Sequence, residues 1–591
     1  PDEALAGLVE FARDAKMVAH NAEFDRTFTT RHPSGYPLLD NIWIDSLDLA
    51  RIALPRMRSH RLIDLVKAFG APTSTHRADD DVAATCALFR ILLAAVYEMP
   101  PALVKCIALL APVEQWNTAV VFQHFAQPEA KPFSLKELRH ESMTSYERRP
   151  RIDAKMIQTM EYPTAEDIAQ AFSPTGIVGK LYVDFDPREE QLTMAQEVRA
   201  ALEASENLIV EAGTGVGKSM AYLVPAVLMA KKNNIAIGVA TKTNALLDQL
   251  VYHELPALAQ SLGDVTYAPL KGFSHYPCLR KVNRFVKEGV KMVDVQGTEH
   301  SQAPSLGALL SFIDQTDYDD MDSLKMDYRV VPRRAVTTTS HDCLRRKCPF
   351  YGTTCFVHGA RRFAETADVV VTNHTLLFCD AAADNGLLPP VRHWVLDEAH
   401  GAEAEARRAF SLEIAAEDVT RLAQKVASGE SRNVYARAER KLSSSLKNDG
   451  AMLFEGLIGK AKSAGDMFAA AAHEFAPHIK DLLYFDPNKR SRSYDRTELW
   501  LNDDIRASET FGSLRTLAKA MQASAEKAIT CSQELVGYLE NIEGAAEPQR
   551  EIASVAMDLK DLVGAVEVIF GEKSDSYAYA AELCRKKDKQ T

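Results

Sequence analysis

Asn207-Leu-Ile-Val-Glu-Ala-Gly-Thr-Gly-Val-Gly-Lys-Ser219 decides the reading of this chain. The apolar run Asn207-Leu-Ile-Val210 reads as a strand, and the apolar stretch from Met220 reads as a helix. Between them, Gly213, Gly215 and Gly217 free the backbone to curl its N–H groups around phosphate oxygens, with Thr214 in the same loop. Lys218 would place its charge on the β- and γ-phosphates, and Ser219 would hold Mg²⁺. Ala212 stands where the strict pattern has glycine. A glycine-rich turn without a ligand is the plain alternative, but strand, loop and helix together are the context a phosphate-binding loop needs.

Further along, the mostly apolar run Val391–Leu396 ends in Asp397-Glu-Ala-His400. An acidic pair at a strand's end can coordinate Mg²⁺ through Asp397 while Glu398 activates the attacking water. Alone, these four residues would pass for a solvated loop. Paired with the upstream glycine loop, they point to a nucleotide hydrolase.

These two motifs resemble those of superfamily 2 helicases, and more narrowly the DinG/XPD group. Arg188 and Gln191, in Phe185-Asp-Pro-Arg-Glu-Glu-Gln191, match that group's adenine-recognition segment. The run Ala236–Thr243, ending in Ala-Thr-Lys-Thr, resembles its next motif. There Thr241 and Thr243 would contact the DNA strand, and Gln249 follows. Thr372-Asn-His374 resembles the segment that precedes Asp-Glu-Ala-His. The resemblance implies an α/β fold with a RecA-like motor that uses ATP and Mg²⁺ to move 5′→3′ on single-stranded DNA. It also implies duplex junctions as partners, in DNA repair or replication.

Between these motifs, Cys278 is followed by Cys343, Cys348 and Cys355, the last three separated by four and then six residues. Four thiolates can hold a [4Fe–4S] cluster or a Zn²⁺ ion, and ordinary core thiols remain the plain reading. The spacing lacks the tight pairs of zinc ribbons. It resembles the cluster domain that the DinG/XPD group inserts at this place. The flanks are basic: Lys271, Arg280, Lys281, Arg284, Arg333, Arg334, Arg345, Arg346, Lys347, Arg361 and Arg362. Interleaved Phe273, Tyr276, Phe350, Tyr351 and Phe356 suit single-stranded DNA, with phosphates on cations and bases on rings. A solvated basic face is the alternative.

The first residues carry a second pattern. Ala19-His-Asn-Ala-Glu-Phe-Asp25 and His76-Arg-Ala-Asp-Asp-Asp81 resemble two motifs of DnaQ-like exonucleases, and Ile44–Arg51 and Ser59–Leu65 also fit. That family hydrolyses DNA 3′ ends with two divalent ions, Mg²⁺ or Mn²⁺, held by four carboxylates, and a histidine base. The resemblance makes Asp25 and Asp81 metal ligands and His76 the base. The family's first motif, Asp-x-Glu, is not found among the first twenty residues. The expectation is therefore a partial, ribonuclease H-like domain with little nuclease activity.

The resulting organisation is a partial exonuclease domain over 1–95 and a connector over 96–180. A motor follows in two parts, 181–270 and 366–400, with the cluster domain over 271–365 inserted between them. A helical, arch-like domain covers 401–591, where Val566-Glu-Val-Ile-Phe570 is the single strand-like run. No second motor signature with its arginines is found, and the chain does not start with methionine, so an internal fragment of a longer protein is expected. A nuclease regulated by an ATPase module is the competing reading.

Composition sets the outer bounds. The 591 residues are 46% hydrophobic and 25% charged, which suits packed domains rather than disorder. The net charge of −12 excludes a polycation, so nucleic-acid contact must be local. The most apolar stretch, Ala87–Val113, is broken by Glu98, Pro100, Pro101 and Lys105. Nine cysteines without a paired framework argue against a secreted scaffold, and a cytoplasmic location is expected.

Overall fold

Ile237-Gly-Val-Ala-Thr241 is an apolar run without alternation, and all five of its residues are buried. A strand covered on both faces needs that composition, and a parallel sheet provides the covering. In the computed structural model this strand lies inside a four-stranded sheet. The structure describes all residues except 1, 72–76, 139–149, 183–184, 214, 384–386, 431–432, 444–448, 485–495, 541 and 585–591. The described residues form two units, one of 1–338 with 348–410, the other of 339–347 with 411–591.

In the first unit the helix Asp2–Ala12 precedes β1 (Met17–Ala19) and β2 (Trp43–Asp45), which pair in parallel. The sheet at its centre comprises β3 (Ile237–Thr241), β4 (Tyr267–Pro269), β7 (Val369–Asn373) and β8 (His393–Leu396), in the order β4-β7-β3-β8, all parallel. Between β4 and β7 in sequence, β5 (Met292–Val295) and β6 (Thr298–Ser301) form an antiparallel hairpin. Gly238 is opposite Trp394 in register, and a Cβ there would lie 2.3 Å from the indole. The large ring on β8 therefore requires glycine on β3.

One face of the sheet, Ile237, Val239, Val369 and Val371, packs with Met220, Val224 and Val227 of the helix Lys218–Asn233. The other, through Val370 and Ala268, joins a core that includes the helix Ala303–Gln315 and Leu49, Leu88 and Leu92 from the first hundred residues. Gly307 admits close packing there: a Cβ on it would meet Ile52 at 3.1 Å. The N-terminal segment, the connector and the cysteine-bearing region thus share one hydrophobic core.

The expected strand at 207–210 is not in the sheet. Asn207–Val210 runs outside it, with Ile209 96% exposed, so β8 is an edge strand. Its apolar composition is that of a strand, but no neighbour pairs with it, and pairing rather than propensity makes a strand.

The second unit is built on three long helices, Asp449–Phe475, Glu509–Leu539 and Ala546–Phe570. Phe468, Leu514, Met521, Leu535 and Leu559 lie in its core. Val566–Phe570, expected as a strand, is the last turn of Ala546–Phe570. Buried Leu559, Val566 and Phe570 follow helical spacing, which outweighs the β-branched composition of five residues. Among the described residues, the strands of this unit are β9 (Arg496–Trp500) and β10 (Ala580–Cys584), an antiparallel pair. Among the described residues, no single helix is long and apolar enough to cross a membrane.

Candidate nucleotide-binding site

Open parallel sheets bind ligands outside the carboxyl ends of their strands. Here the glycine loop leads into the helix Lys218–Asn233, and the Asp-Glu-Ala-His segment leaves β8. Gly215 (φ +86°) and Gly217 (φ +84°) adopt the left-handed conformation that the loop requires. Gly217 has a second reason to be glycine, since a Cβ would lie 2.1 Å from Gln191 Nε2. Thr214 lies outside the described residues.

The two ends meet. Lys218 Nζ lies 3.5 Å from Glu398 Oε1, each side chain about one-third exposed (33% and 36%). Such an ion pair contributes only about 0–1 kcal/mol, so an anion competing for Lys218 would displace it at small cost. Glu398 also lies 3.2 Å from His400 Nδ1, and His400 Nε2 lies 2.8 Å from Lys242 Nζ. Glu398 itself has φ +54°, a left-handed backbone uncommon for a side-chain-bearing residue.

Ser219 Oγ donates to Glu254 Oε1 at 3.2 Å. Asp397 is anchored by its backbone N–H to the Ala240 carbonyl of β3 at 2.8 Å. Burial raises the Asp397 carboxyl above its ordinary range; neighbouring Glu398 adds to this and Lys218 opposes it. Tyr222, one turn beyond Ser219, is 3% exposed, faces Ser219 and Asp397, and has no hydrogen-bond partner of good geometry for its hydroxyl. A desolvated carboxylate, a serine hydroxyl and a buried phenol are oxygen groups suited to a divalent cation with its water shell. These residues therefore fit Mg²⁺.

Arg188 and Gln191, expected near the adenine, touch the loop itself. The Arg188 guanidinium donates to the Gly215 carbonyl, and Gln191 Nε2 donates to the Gly217 carbonyl at 2.9 Å. Thr241 is buried, with its hydroxyl on the Thr243 carbonyl at 2.9 Å. The Thr243 and Asn373 side chains cap the helices that follow them. Buried His374 sits against the backbone of Asp397 and Ala240, and burial lowers its pKa. Sequence motifs did not find Glu254 or Tyr222, because neither stands at a fixed offset in a recognised pattern.

The cysteines divide between the units. Cys278, Cys348 and Cys355 lie in the first; Cys343 lies in the second. Cys278 and Cys355 each precede a helix, Leu279–Glu288 and Phe356–Thr366. The segment Thr339–Lys347, which carries Cys343, is tied to the long helices of its own unit. His341 Nδ1 lies 3.2 Å from Asp558, Ser554 Oγ donates to Asp342 at 3.0 Å, and Lys347 Nζ lies 3.2 Å from Glu540. Among the described residues, no three His, Cys, Asp or Glu side chains converge as metal ligands.

The basic and aromatic set is partly used inside the protein. Lys271 is fully buried, with Nζ 3.0–3.1 Å from Asp248, Asp320 and Asp322. A lone buried ammonium would cost several kcal/mol, which explains the three carboxylates around it and removes Lys271 from any DNA path. Tyr276, Phe350 and Phe356 are core residues, 1–3% exposed, not stacking platforms. Their alternation with basic residues reflects packing. Arg345, Arg346 and Lys347 are exposed, and Arg361 lies over Phe273, 4.6 Å from the ring centre.

In the N-terminal segment, Asp25 occupies the first turn of the helix Ala22–Thr29, and Asp81 that of Ala78–Tyr97. His76 lies outside the described residues. Burial raises the Asp25 carboxyl, and Asp45 adds to the effect. Burial, with Asp45 adding to it, pushes Asp48 up to about 7. His20 is held by Ser46 Oγ at 3.0 Å and the His60 carbonyl at 2.9 Å. Asn21, Arg26, Asp45, Asp48 and His300 line one cleft.

Residues 1–89 match the RNase T family, described as exonuclease. Over 520 residues, 83% of the chain, the protein is 27% identical to a Bacillus subtilis protein named 3′-5′ exonuclease DinG. It is 39% identical over 257 residues (40% of the chain) to the ATP-dependent helicase DinG of Mycobacterium tuberculosis, and 35% over 241 residues (39%) to the ATP-dependent DNA helicase YoaA of Haemophilus influenzae. The matches span 53%, 38% and 36% of those relatives' lengths. In one polypeptide, the chain thus joins an exonuclease-family segment to a longer stretch similar to the DinG and YoaA helicases.

Proposed function

We propose that this chain carries the first motor domain, RecA-like in design, of an ATP-dependent DNA helicase with a fused 3′→5′ exonuclease domain. The observation that carries the reading is the meeting of Lys218, at the start of the glycine-loop helix, with Glu398, just past the carboxyl end of β8.

The pair Lys218–Glu398 describes the resting site. When the nucleotide's phosphates enter, Lys218 turns to them, and Glu398 is released to accept a proton from the attacking water. Ser219 and Asp397 would hold Mg²⁺, which when bound offsets charge on the phosphate oxygens. Gln191 and Arg188 keep the loop in its left-handed shape by bonding its carbonyls, which leaves its N–H groups for the ligand.

Cys278, Cys343, Cys348 and Cys355 are proposed, on their sequence spacing, to hold a [4Fe–4S] cluster. Single-stranded DNA and duplex junctions are the proposed partners, with 5′→3′ movement and a role in repair or replication. In the N-terminal segment, Asp25 and Asp81 would hold a divalent metal beside His76. The family match of residues 1–89 supports a second reading, a nuclease regulated by the ATPase.

Titration with a fluorescent ATP analogue tests the central reading. Lys218→Ala should weaken binding on the order of 10–100-fold, since hydrogen bonds to charged groups contribute roughly 1.5–3 kcal/mol. Unchanged affinity would remove the glycine loop from the site. DNA-stimulated hydrolysis that Asp25→Ala leaves intact would favour the helicase reading over the regulated nuclease.

A further inference from the structure

Glu254 lies outside every motif described above, yet it is in contact with the residue proposed to hold Mg²⁺. Its position comes from an irregular stretch of helix. After Asn244–Gln249, the segment Leu250–Glu254 forms a single π-helical turn, in which the Leu255 N–H reaches back five residues to the Leu250 carbonyl. Pro256 follows and has no N–H to give the Tyr252 carbonyl, which disfavours the ordinary α-turn here. Single π-turns are rare and concentrate at functional sites. This one brings a carboxylate to the start of the phosphate-loop helix.

There, Glu254 Oε1 accepts two hydrogen bonds, from Ser219 Oγ at 3.2 Å and from Gln249 Nε2 at 3.2 Å. The direction of the first bond matters. A hydroxyl that gives its only proton to a carboxylate turns its lone pairs elsewhere, and a hard cation needs those lone pairs. Gln249 holds the acceptor in place from the other side. A second, independent observation is the Tyr222 hydroxyl: 3% exposed, without a hydrogen bond of good geometry, and facing Ser219 and Asp397. Buried hydroxyls are ordinarily satisfied. This one stands beside Ser219 and the Asp397 carboxylate, where a bound water would complete its geometry.

We propose that Glu254 is a positioning residue of the divalent-cation site: it fixes the Ser219 hydroxyl with its lone pairs toward Mg²⁺, while Tyr222 serves the ion's water shell. This rests on the nucleotide-site reading above. Groups one step behind a metal ligand commonly set its orientation, and their removal costs about 10–100-fold in affinity.

The test measures binding, not turnover. The whole chain is titrated with a fluorescent ATP analogue, once with MgCl₂ and once with EDTA. Glu254→Ala should reduce the Mg²⁺-dependent gain in affinity on the order of tenfold and leave the EDTA affinity unchanged. Glu254→Gln, whose amide oxygen still accepts from Ser219, should recover most of that gain. Tyr222→Phe should reduce it by a smaller factor. Equal losses with and without Mg²⁺, or no loss in either, would overturn the inference. Lys218→Ala serves as the separate control. If it leaves EDTA affinity intact, the nucleotide-site reading itself fails; if it abolishes that affinity while Glu254→Ala changes nothing, only the role of Glu254 is lost.

Discussion

The nucleotide cradle and the cysteine set were recognisable in the same way, as fixed residue types at fixed offsets, but the fold treats them differently. In the cradle, Lys218 and Glu398 are 180 residues apart and meet at 3.5 Å within one unit. Of the four cysteines, three lie in that unit, and Cys343 belongs to the other. Parallel backbone pairing of β8 with β3 delivers Glu398, and the helix Lys218–Asn233, packed on the sheet face, brings Lys218 to it. In the cysteine region the Cys278 N–H bonds the Val336 carbonyl at 2.7 Å, but Thr339–Lys347, which carries Cys343, is held by side-chain ties to residues of the long helices and their ends. Sheet pairing and core packing fix a site in advance, whereas polar ties hold a segment that a ligand or a change of pH can reset.

The largest effect should come from breaking the pre-assembled side. Glu398→Gln keeps the volume but removes the proposed base, so ATP turnover should fall by roughly 10²–10⁴-fold with nucleotide affinity retained. A loss confined to affinity would mean that Glu398 acts only as the partner of Lys218.

Cysteine substitution sharpens the other side. Purified without oxygen, the chain should carry about four irons and four sulfides, and Cys343→Ser should lose them as completely as Cys278→Ser. Iron retained in Cys343→Ser alone would separate Cys343 from the other three. Stoichiometric zinc would replace the cluster proposal.

The smallest effect concerns the tie itself. The hydrogen bond to Asp558 raises the His341 pKa above its ordinary value. Burial opposes ionisation of Asp558, but bonds from His341 and Lys425 lower its pKa overall. A raised histidine contributes stability that is present below its unfolded pKa and lost as pH rises through the folded one. A lowered aspartate contributes stability above its unfolded pKa that is lost as pH falls through the folded one. The tie is therefore strongest in mildly acidic buffer and loosens above neutrality. Hydrogen exchange at Thr339–Lys347, corrected for intrinsic rate, should show roughly 0–1 kcal/mol more protection at about pH 6 than at about pH 8. His341→Asn should erase the difference; a difference that persists would assign it elsewhere.

How much of this was legible in the sequence depends on range. The glycine loop, the acidic pair and the helix-rich C-terminal region were legible because each is a local pattern with a local cause. Leu208, Ile209 and Val210 show the limit: their composition specifies a strand, and only the sheet's edge decides whether they become one. Val566–Phe570 shows the reverse, a β-branched run carried into a helix by the buried stripe before it. Tyr276, Phe350 and Phe356 looked like a stacking surface because aromatic residues among cations carry no mark of which way they face. Glu254 was invisible, since its role depends on a π-turn that no short pattern announces.

The backbone of Glu398 has one more consequence. At φ +54° it occupies a conformation that costs a residue with a side chain about 1–2 kcal/mol. Glycine would relieve that cost and would also delete the carboxylate proposed as the base. If Glu398 is the base, stability and reactivity pull in opposite directions at this position, and a search for heat-resistant variants that did not also select for turnover would tend to discard it first.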